Sequence, residues 1–191
     1  KPKGGTKETD KLIRRLEREI EKQEKVVADF DIKIEAAAAD YQELTRLLSE
    51  KEEALSKALT LIPDGKSVSW GGCKSAEEIG LIDAVKAGNY IVLDRATATT
   101  PEERQQIMKQ ALTCDVFLTG TNAITETGEL VNIDGMGNRV AAMTFGPDSI
   151  IVIAGMNKLV SNVMDAANRA RTTAAPINAQ RFDIKTPCKI D

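Results

Sequence analysis

The chain has 191 residues, 42% of them hydrophobic, a net charge of −3, three cysteines and no histidine. That composition suits one medium domain, or one domain with an appendage, with enough apolar residues for a real core. The absence of histidine excludes Ser-His-Asp and Cys-His catalysis within one chain and removes the commonest metal ligand, so no metal site is expected.

The near-neutral charge offers no broad basic surface for a phosphate backbone, so nucleic acid is not an expected partner. No apolar run is long enough to cross a bilayer and no signal-peptide pattern opens the chain, so no membrane partner is expected. Cys73, Cys114 and Cys188 are odd in number and irregular in spacing, unlike a secreted disulfide framework. Together these features predict a cytoplasmic protein.

From about Lys7 to Leu59 the chain is rich in Glu, Lys, Arg, Ala and Leu, with no Gly or Pro after Gly5. Ile13, Leu16, Ile20, Gln23, Val27, Phe30, Ile34, Ala37, Tyr41, Leu44 and Leu48 step by threes and fours. This heptad pattern, polar only at Gln23, predicts helix. A single narrow apolar stripe cannot bury itself, so it predicts a partner helix. Either one continuous helix dimerises, or a hairpin folds back near Asp29–Asp31 or Ala36–Asp40; a homo-oligomer is expected. The boundary with the next segment is expected near residues 48 and 49, with helix running on through Glu50–Leu61 to a turn at Pro63-Asp64-Gly65.

The grammar then changes. Val68–Trp70 reads as a strand ending in Gly71-Gly72. Ser75-Ala76-Glu77-Glu78 reads as a capping box opening a helix to about Ala87. Tyr90–Asp94 reads as a strand. Thr100-Pro101-Glu102-Glu103 is a second capping box, with Pro at the first helical position, opening a helix to about Thr113. Asp115–Thr119 and Glu129–Ile133 read as strands, and Asn138–Phe145 as a short helix. Ser149–Ala154 is a β-branched run of the kind buried on both faces of a parallel sheet. A last helix is predicted from about Ser161 to Ala174, stopped by Pro176. Alternating strands and helices predict an open, mostly parallel α/β sheet.

Such sheets hold ligands at the carboxyl ends of their strands, which makes three loops candidates. In the first, Gly71, Gly72, Cys73 and Lys74 run from a strand into a helix N-terminus. There, free backbone N–H groups and Lys74 favour an anion, although Gly-Gly before a helix is often only a tight turn. Cys73 is either a reactive thiol or, more commonly in such a loop, a small space-filling residue. In the second, residues 120–128, Asn122 and Thr125 can bond a polar ligand or satisfy their own backbone, and Glu126, the one carboxylate there, is either a base or, as is usual for a lone loop Glu, a solvated side chain. In the third, Asn132, Asp134, Gly135, Gly137, Asn138 and Arg139 combine a carboxylate, flexible backbone and a guanidinium. Arg139 either clamps a carboxylate or phosphate or pairs with Asp134 in a structural turn. Glu126 and Asp134 are thus the candidate proton carriers, and the remaining residues the candidate anion site. The Gly-x-Gly at 135–137 lacks the third glycine of a dinucleotide fingerprint.

The segments Ile62-Pro63-Asp64-Gly65, Trp70-Gly71-Gly72-Cys73 with Glu78-Ile79-Gly80-Leu81, Asp115–Thr125, Gly128–Gly135 and Gly137–Ala141, then Ala175–Ala179 and Lys185–Cys188, resemble the LUD (lactate-utilisation) domain family over about Ser49 to Cys188. The resemblance implies a fold like that of the ribose-5-phosphate isomerase and CoA-transferase-like proteins. It also implies a link to oxidation of L-lactate to pyruvate beside iron–sulfur partner subunits, with no cofactor bound by this chain itself. The family usually has Ser where this chain has Cys73, which bears against a hydroxyl-dependent role there. Residues 11–57 resemble instead the C-terminal coiled coil of ABC-F ATPases, notably at Glu19-Ile20-Glu21-Lys22, Asp40–Leu44 and Glu50-Lys51-Glu52. The near-neutral charge of that helix disfavours ribosomal RNA as its target. Two functions follow as expectations: a domain binding a small carboxylate or phosphate ligand, or a non-catalytic assembly subunit joined through its helix.

Overall fold

A computed structural model describes residues 7–181. Cys188 and the Lys185–Cys188 block lie outside the described residues, as do the side chains of Ile13, Glu19, Gln23 and Phe30. The chain divides into two compact units, residues 1–51 and 52–191.

Helix α1 spans Lys7–Thr60, 54 residues without interruption. The continuous helix is therefore the form adopted rather than the hairpin. No glycine or proline breaks the i→i−4 ladder. Pairs at helical spacing line its surface: Lys25 with Glu21 at 2.9 Å, Lys33 with Asp29 at 2.6 Å, and Arg46 with Glu43 at 2.7 Å and also with Glu50. In the first unit Leu16, Ile20, Val27, Ile34, Tyr41, Leu44 and Leu48 are each more than half exposed. The same seven-residue phase continues in the second unit through Leu55, Ala58 and Ile62, where it meets the domain core. The helix ends as Leu61 N–H and Ile62 N–H donate to Ala58 and Leu59 carbonyls, both at 3.1 Å. Pro63 then cannot extend it.

The second unit is built on four parallel strands in the order β2-β1-β3-β6. They are β1 (Ser67–Trp70), β2 (Ile91–Leu93), β3 (Val116–Thr119) and β6 (Ser149–Val152). Val68 sits beside Val92 and Val116, and Phe117 and Leu118 beside Ile150 and Ile151. Every residue of β3 is buried, as a central parallel strand requires. Lys66 Nζ, Ser67 N–H and Ser67 Oγ all bond the Asp115 carboxylate, tying the entry of β1 to that of β3. One core layer gathers Ala58, Ile62, Val68, Leu81, Val85, Val116 and Leu118; a second holds Ala111, Cys114, Phe117 and Ala142.

The helix predicted over Ser75–Ala87 is in fact two, α2 (Lys74–Glu78) and α3 (Leu81–Ala87). Gly80, at φ +81°, forms the joint in a conformation L residues avoid. The N-cap is Cys73 rather than Ser75: its Sγ accepts from Ala76 N–H at 3.4 Å. Helix α4 (Pro101–Gln110) forms as expected, with Thr100 Oγ1 accepting from Glu103 N–H at 3.1 Å and a 3-10 turn over Ala111–Thr113.

A second, three-stranded sheet departs from expectation. Strand β4 (Ala123–Thr125) lies inside the stretch expected to be loop, pairing antiparallel with β5 (Leu130–Val131) and parallel with β7 (Leu159–Val160). Helix α5 covers Asn138–Thr144. The last helix does not stop at Pro176: α6 (Val163–Arg169) passes through a π-turn over Ala170–Ala174 into α7 (Ala175–Arg181). The wider π-turn accommodates a residue without an N–H in the helical ladder.

Candidate functional site

Strand order marks the edge where a ligand crevice is expected. After β1 the chain crosses to β2 on one side, then returns to β3 on the other. Open parallel sheets bind ligands where neighbouring connections diverge in this way. The carboxyl ends of β1 and β3 carry Gly71-Gly72 and Gly120.

Arg139 organises the loops on this edge. Its Nε donates to Asp134 Oδ1 at 2.9 Å and its Nη2 approaches the same oxygen at 2.7 Å. Nη1 donates to the Gly120 carbonyl at 2.9 Å and to Asn132 Oδ1, and Nη2 donates to Asn122 Oδ1 at 3.2 Å. These contacts engage all three nitrogens of the guanidinium. The side chains of Arg139 and Asp134 are 11% and 9% exposed. Asp134 Oδ2 meanwhile accepts from Val140 N–H at 2.7 Å, fastening the start of α5. Asn122 and Asn132 close the arrangement, as Ile133 N–H donates to Asn122 Oδ1 at 2.8 Å and Asn122 N–H to Asn132 Oδ1 at 3.2 Å. The second and third loops are thus locked into one frame by the guanidinium between them.

Cys73 is 3% exposed. Beyond capping α2, its thiol donates to the Ile153 carbonyl at 3.7 Å. Burial pushes the thiol above its ordinary range, outweighing the Ala76 N–H bond and the nearby Lys158 charge. A helix N-terminus is expected to activate a thiol, but desolvation of the thiolate is the larger effect here. Cys114 is likewise buried, with its thiol raised by burial.

The other expected residues separate. Gly72 is exposed and Gly71 buried. Lys74 is exposed and turns to Glu77 at 3.5 Å. Gly137, at φ +76°, caps α5, Gly135 is exposed, and Asn138 helps line a small pocket with Ser69, Trp70, Arg95 and Phe117. Thr125 is buried in the β4–β5 turn, where its hydroxyl meets Glu129 and Thr127 Oγ1. Glu126 is exposed in that same turn, four residues along the chain from Asn122 and roughly 13 Å away at strand rise. The structure therefore brings Gly71, Asn122, Asn132, Asp134 and Arg139 together, and places Thr125 and Glu126 at the far end of β4.

Sequence reasoning missed a set of cations on this edge. Lys158, following β6, lies 3.5 Å from the position a Gly120 Cβ would occupy, and bonds Ser75 Oγ at 3.3 Å. Burial, then the Arg169 and Arg139 charges, hold its ammonium below the ordinary lysine range. Arg169 bonds the backbone carbonyls of Asn157 and Asn122. Arg95, following β2, and Arg181, ending α7, both reach Gly72. No one loop carries these residues, so no local motif announces them. Among the described residues, no three Cys, Asp or Glu side chains gather to hold a metal ion, and no helix is long and apolar enough to cross a membrane.

The family model of the LUD domain matches residues 45–190. No curated protein matches the chain. The match covers most of the sequence, including both glycine-rich strand ends and the Arg139 frame, and the chain belongs to the LUD domain family.

Proposed function

We propose that this lactate-utilisation-related domain binds a small carboxylate or phosphate ligand in the crevice above Gly71-Gly72 and Gly120. The observation that carries the reading is the half-buried Lys158 ammonium beside Gly120, with the Arg169 and Arg139 charges as like-charged neighbours. A desolvated cation among like charges gains most from an incoming anion. Arg139 acts here as a positioning residue, holding Asn122, Asn132 and Asp134 around the crevice, while Lys158 and the loop backbone meet the ligand. Asp134 is the better placed of the two candidate proton carriers, since Glu126 sits in the distant turn.

Within a lactate-oxidising system, iron–sulfur chemistry would belong to partner subunits. The two described cysteines stand singly, each buried and bonded to backbone, and supply no cluster ligand set. Calorimetric titration with L-lactate, pyruvate and ribose 5-phosphate tests the reading. Binding that weakens in Lys158→Met supports it; binding indifferent to that change places the ligand elsewhere.

A second reading has its own support. The exposed heptad residues of α1 fit a role in assembly, with copies of the chain joined through that stripe. Sedimentation of the chain with and without residues 1–48 distinguishes an assembling helix from a solitary one.

A further inference from the structure

Lys158 forms no ion pair among the described residues. It closes a 3-10 turn, Met156–Lys158, between the carboxyl end of β6 and the start of β7. Its Nζ donates to Ser75 Oγ at 3.3 Å and lies 3.5 Å from the position of a Gly120 Cβ. Cys73 Sγ lies 3.2 Å from that same point, but burial keeps the thiol protonated, so it offers no counter-charge. Glu78 is the carboxylate whose charge reaches Lys158, and it is exposed to solvent. Residues 154–157 are exposed, so the half-buried amine remains within reach of solvent. Arg169 is the cation beside it. Its Nε donates to the Asn157 carbonyl at 3.2 Å and its Nη1 to the Asn122 carbonyl. Both partners are neutral, and among the described residues Arg169 Nη2 makes no bond. Burial, with Arg169 as a like-charged neighbour, favours the neutral amine of Lys158.

We infer that Lys158 is a nucleophile whose amine captures the carbonyl of an α-keto acid as an imine, with Arg169 holding the adjoining carboxylate. This rests on the anion-binding reading above and deepens it. A lysine in a partly desolvated place, beside a second cation and with no carboxylate to hold its proton, is in the state from which amines attack carbonyls. In the step, the neutral Nζ attacks the keto carbon. A C–N bond forms, the carbonyl π pair moves to oxygen, and that oxygen takes a proton while the nitrogen gives one up to water. The carbinolamine then expels its hydroxyl as water as the nitrogen lone pair closes the C=N bond. One water is released, and nothing is oxidised or reduced. The α-keto acid class follows from the spacing of charge and carbonyl. Its carboxylate is bonded directly to the carbon attacked, so a guanidinium next to the amine meets it. An uncharged ketone would gain nothing from Arg169.

Reductive trapping tests this on the full chain. Pyruvate is the probe, and cyanoborohydride delivers a hydride to any C=N carbon, leaving a carboxyethyl group on the lysine that formed the imine. Peptide mapping by mass spectrometry then locates it. The expected result is labelling of Lys158 roughly tenfold or more faster than of the exposed Lys25 and Lys51, as docking and an activated amine together imply. Excess L-lactate, which has the carboxylate but no carbonyl, should suppress it. Arg169→Met, with folding checked by circular dichroism, should slow it by a comparable factor. Labelling of Lys158 no faster than of the exposed lysines overturns the proposal. If calorimetry still shows pyruvate binding that Lys158→Met weakens, the covalent step alone is wrong and the anion crevice stands. Labelling of Lys158 that either excess lactate or Arg169→Met leaves unchanged overturns the docking of the carboxylate at Arg169. If pyruvate neither binds nor labels, the imine and the crevice reading fall together.

Discussion

Gly71 and Arg139 share one volume: a Cβ on Gly71 would lie 2.8 Å from Arg139 Cδ and 2.9 Å from its Cγ. The end of β1 can pass over the arginine stem only because residue 71 has no side chain. The stem cannot step aside cheaply, because its guanidinium is pinned to two loops. Gly71→Ala is predicted to destabilise the domain by about 1–3 kcal/mol, as overpacking of a fixed neighbour does. A thermal melt beside Gly72→Ala, where the methyl has room, measures it. Equal stability of the two variants would show that Arg139 moves freely.

Arg139→Ala should cost more. It removes a guanidinium bonded through all three of its nitrogens and leaves the Asp134 carboxylate, only 9% exposed, without its cation. A loss of about 3 kcal/mol is expected for breaking such a pair from one side. Chemical denaturation reads the loss. Hydrogen exchange should show residues 120–122 and 132–134 losing protection together, because one side chain holds both segments.

Asp115 predicts the acid limb of stability. The Lys66 ammonium, then the Ser67 hydroxyl and N–H, hold its carboxyl well below the usual carboxylate range. The folded pKa is lower than the unfolded value, so the stabilisation is present above about pH 4. It is lost as pH falls through the folded value. Asp115→Asn should lower the melting temperature at pH 7 and reduce the drop in stability between neutral and acid pH. An unchanged acid limb would place the acid sensitivity in other carboxylates.

Cys73 and Cys114 are predicted to resist alkylation at pH 7–8, since burial keeps both thiols protonated. Residue-resolved mass spectrometry after maleimide treatment checks this, with labelling of both expected only in denaturant. Rapid labelling of Cys73 in the native protein would restore it as a reactive centre.

These sites show which links were legible in sequence. The four strands of the main sheet and the Thr100 cap rest on local signals: β-branched runs, and an oxygen three residues before a free N–H. Strands β4 and β7 are three and two residues long and acquire their identity only by pairing, β4 with both β5 and β7. The π-turn let the chain continue past Pro176, against a rule sound for ordinary helices. Asp134 and Arg139 were visible as a pair because five residues separate them. Arg95, Lys158 and Arg181 were not, because only the strand order and the last helix bring them to one edge.

The central claim is that the carboxyl edge of the parallel sheet, between Gly71-Gly72 and Gly120, holds a small anion. A crystal structure of the chain soaked with glycerol 3-phosphate or pyruvate tests it most directly. Ligand density is expected within hydrogen-bonding distance of the Gly72 backbone and the Lys158 ammonium, with Arg139 still bonded to Asp134. Density at another surface, or an edge filled only by water at saturating ligand, would contradict it.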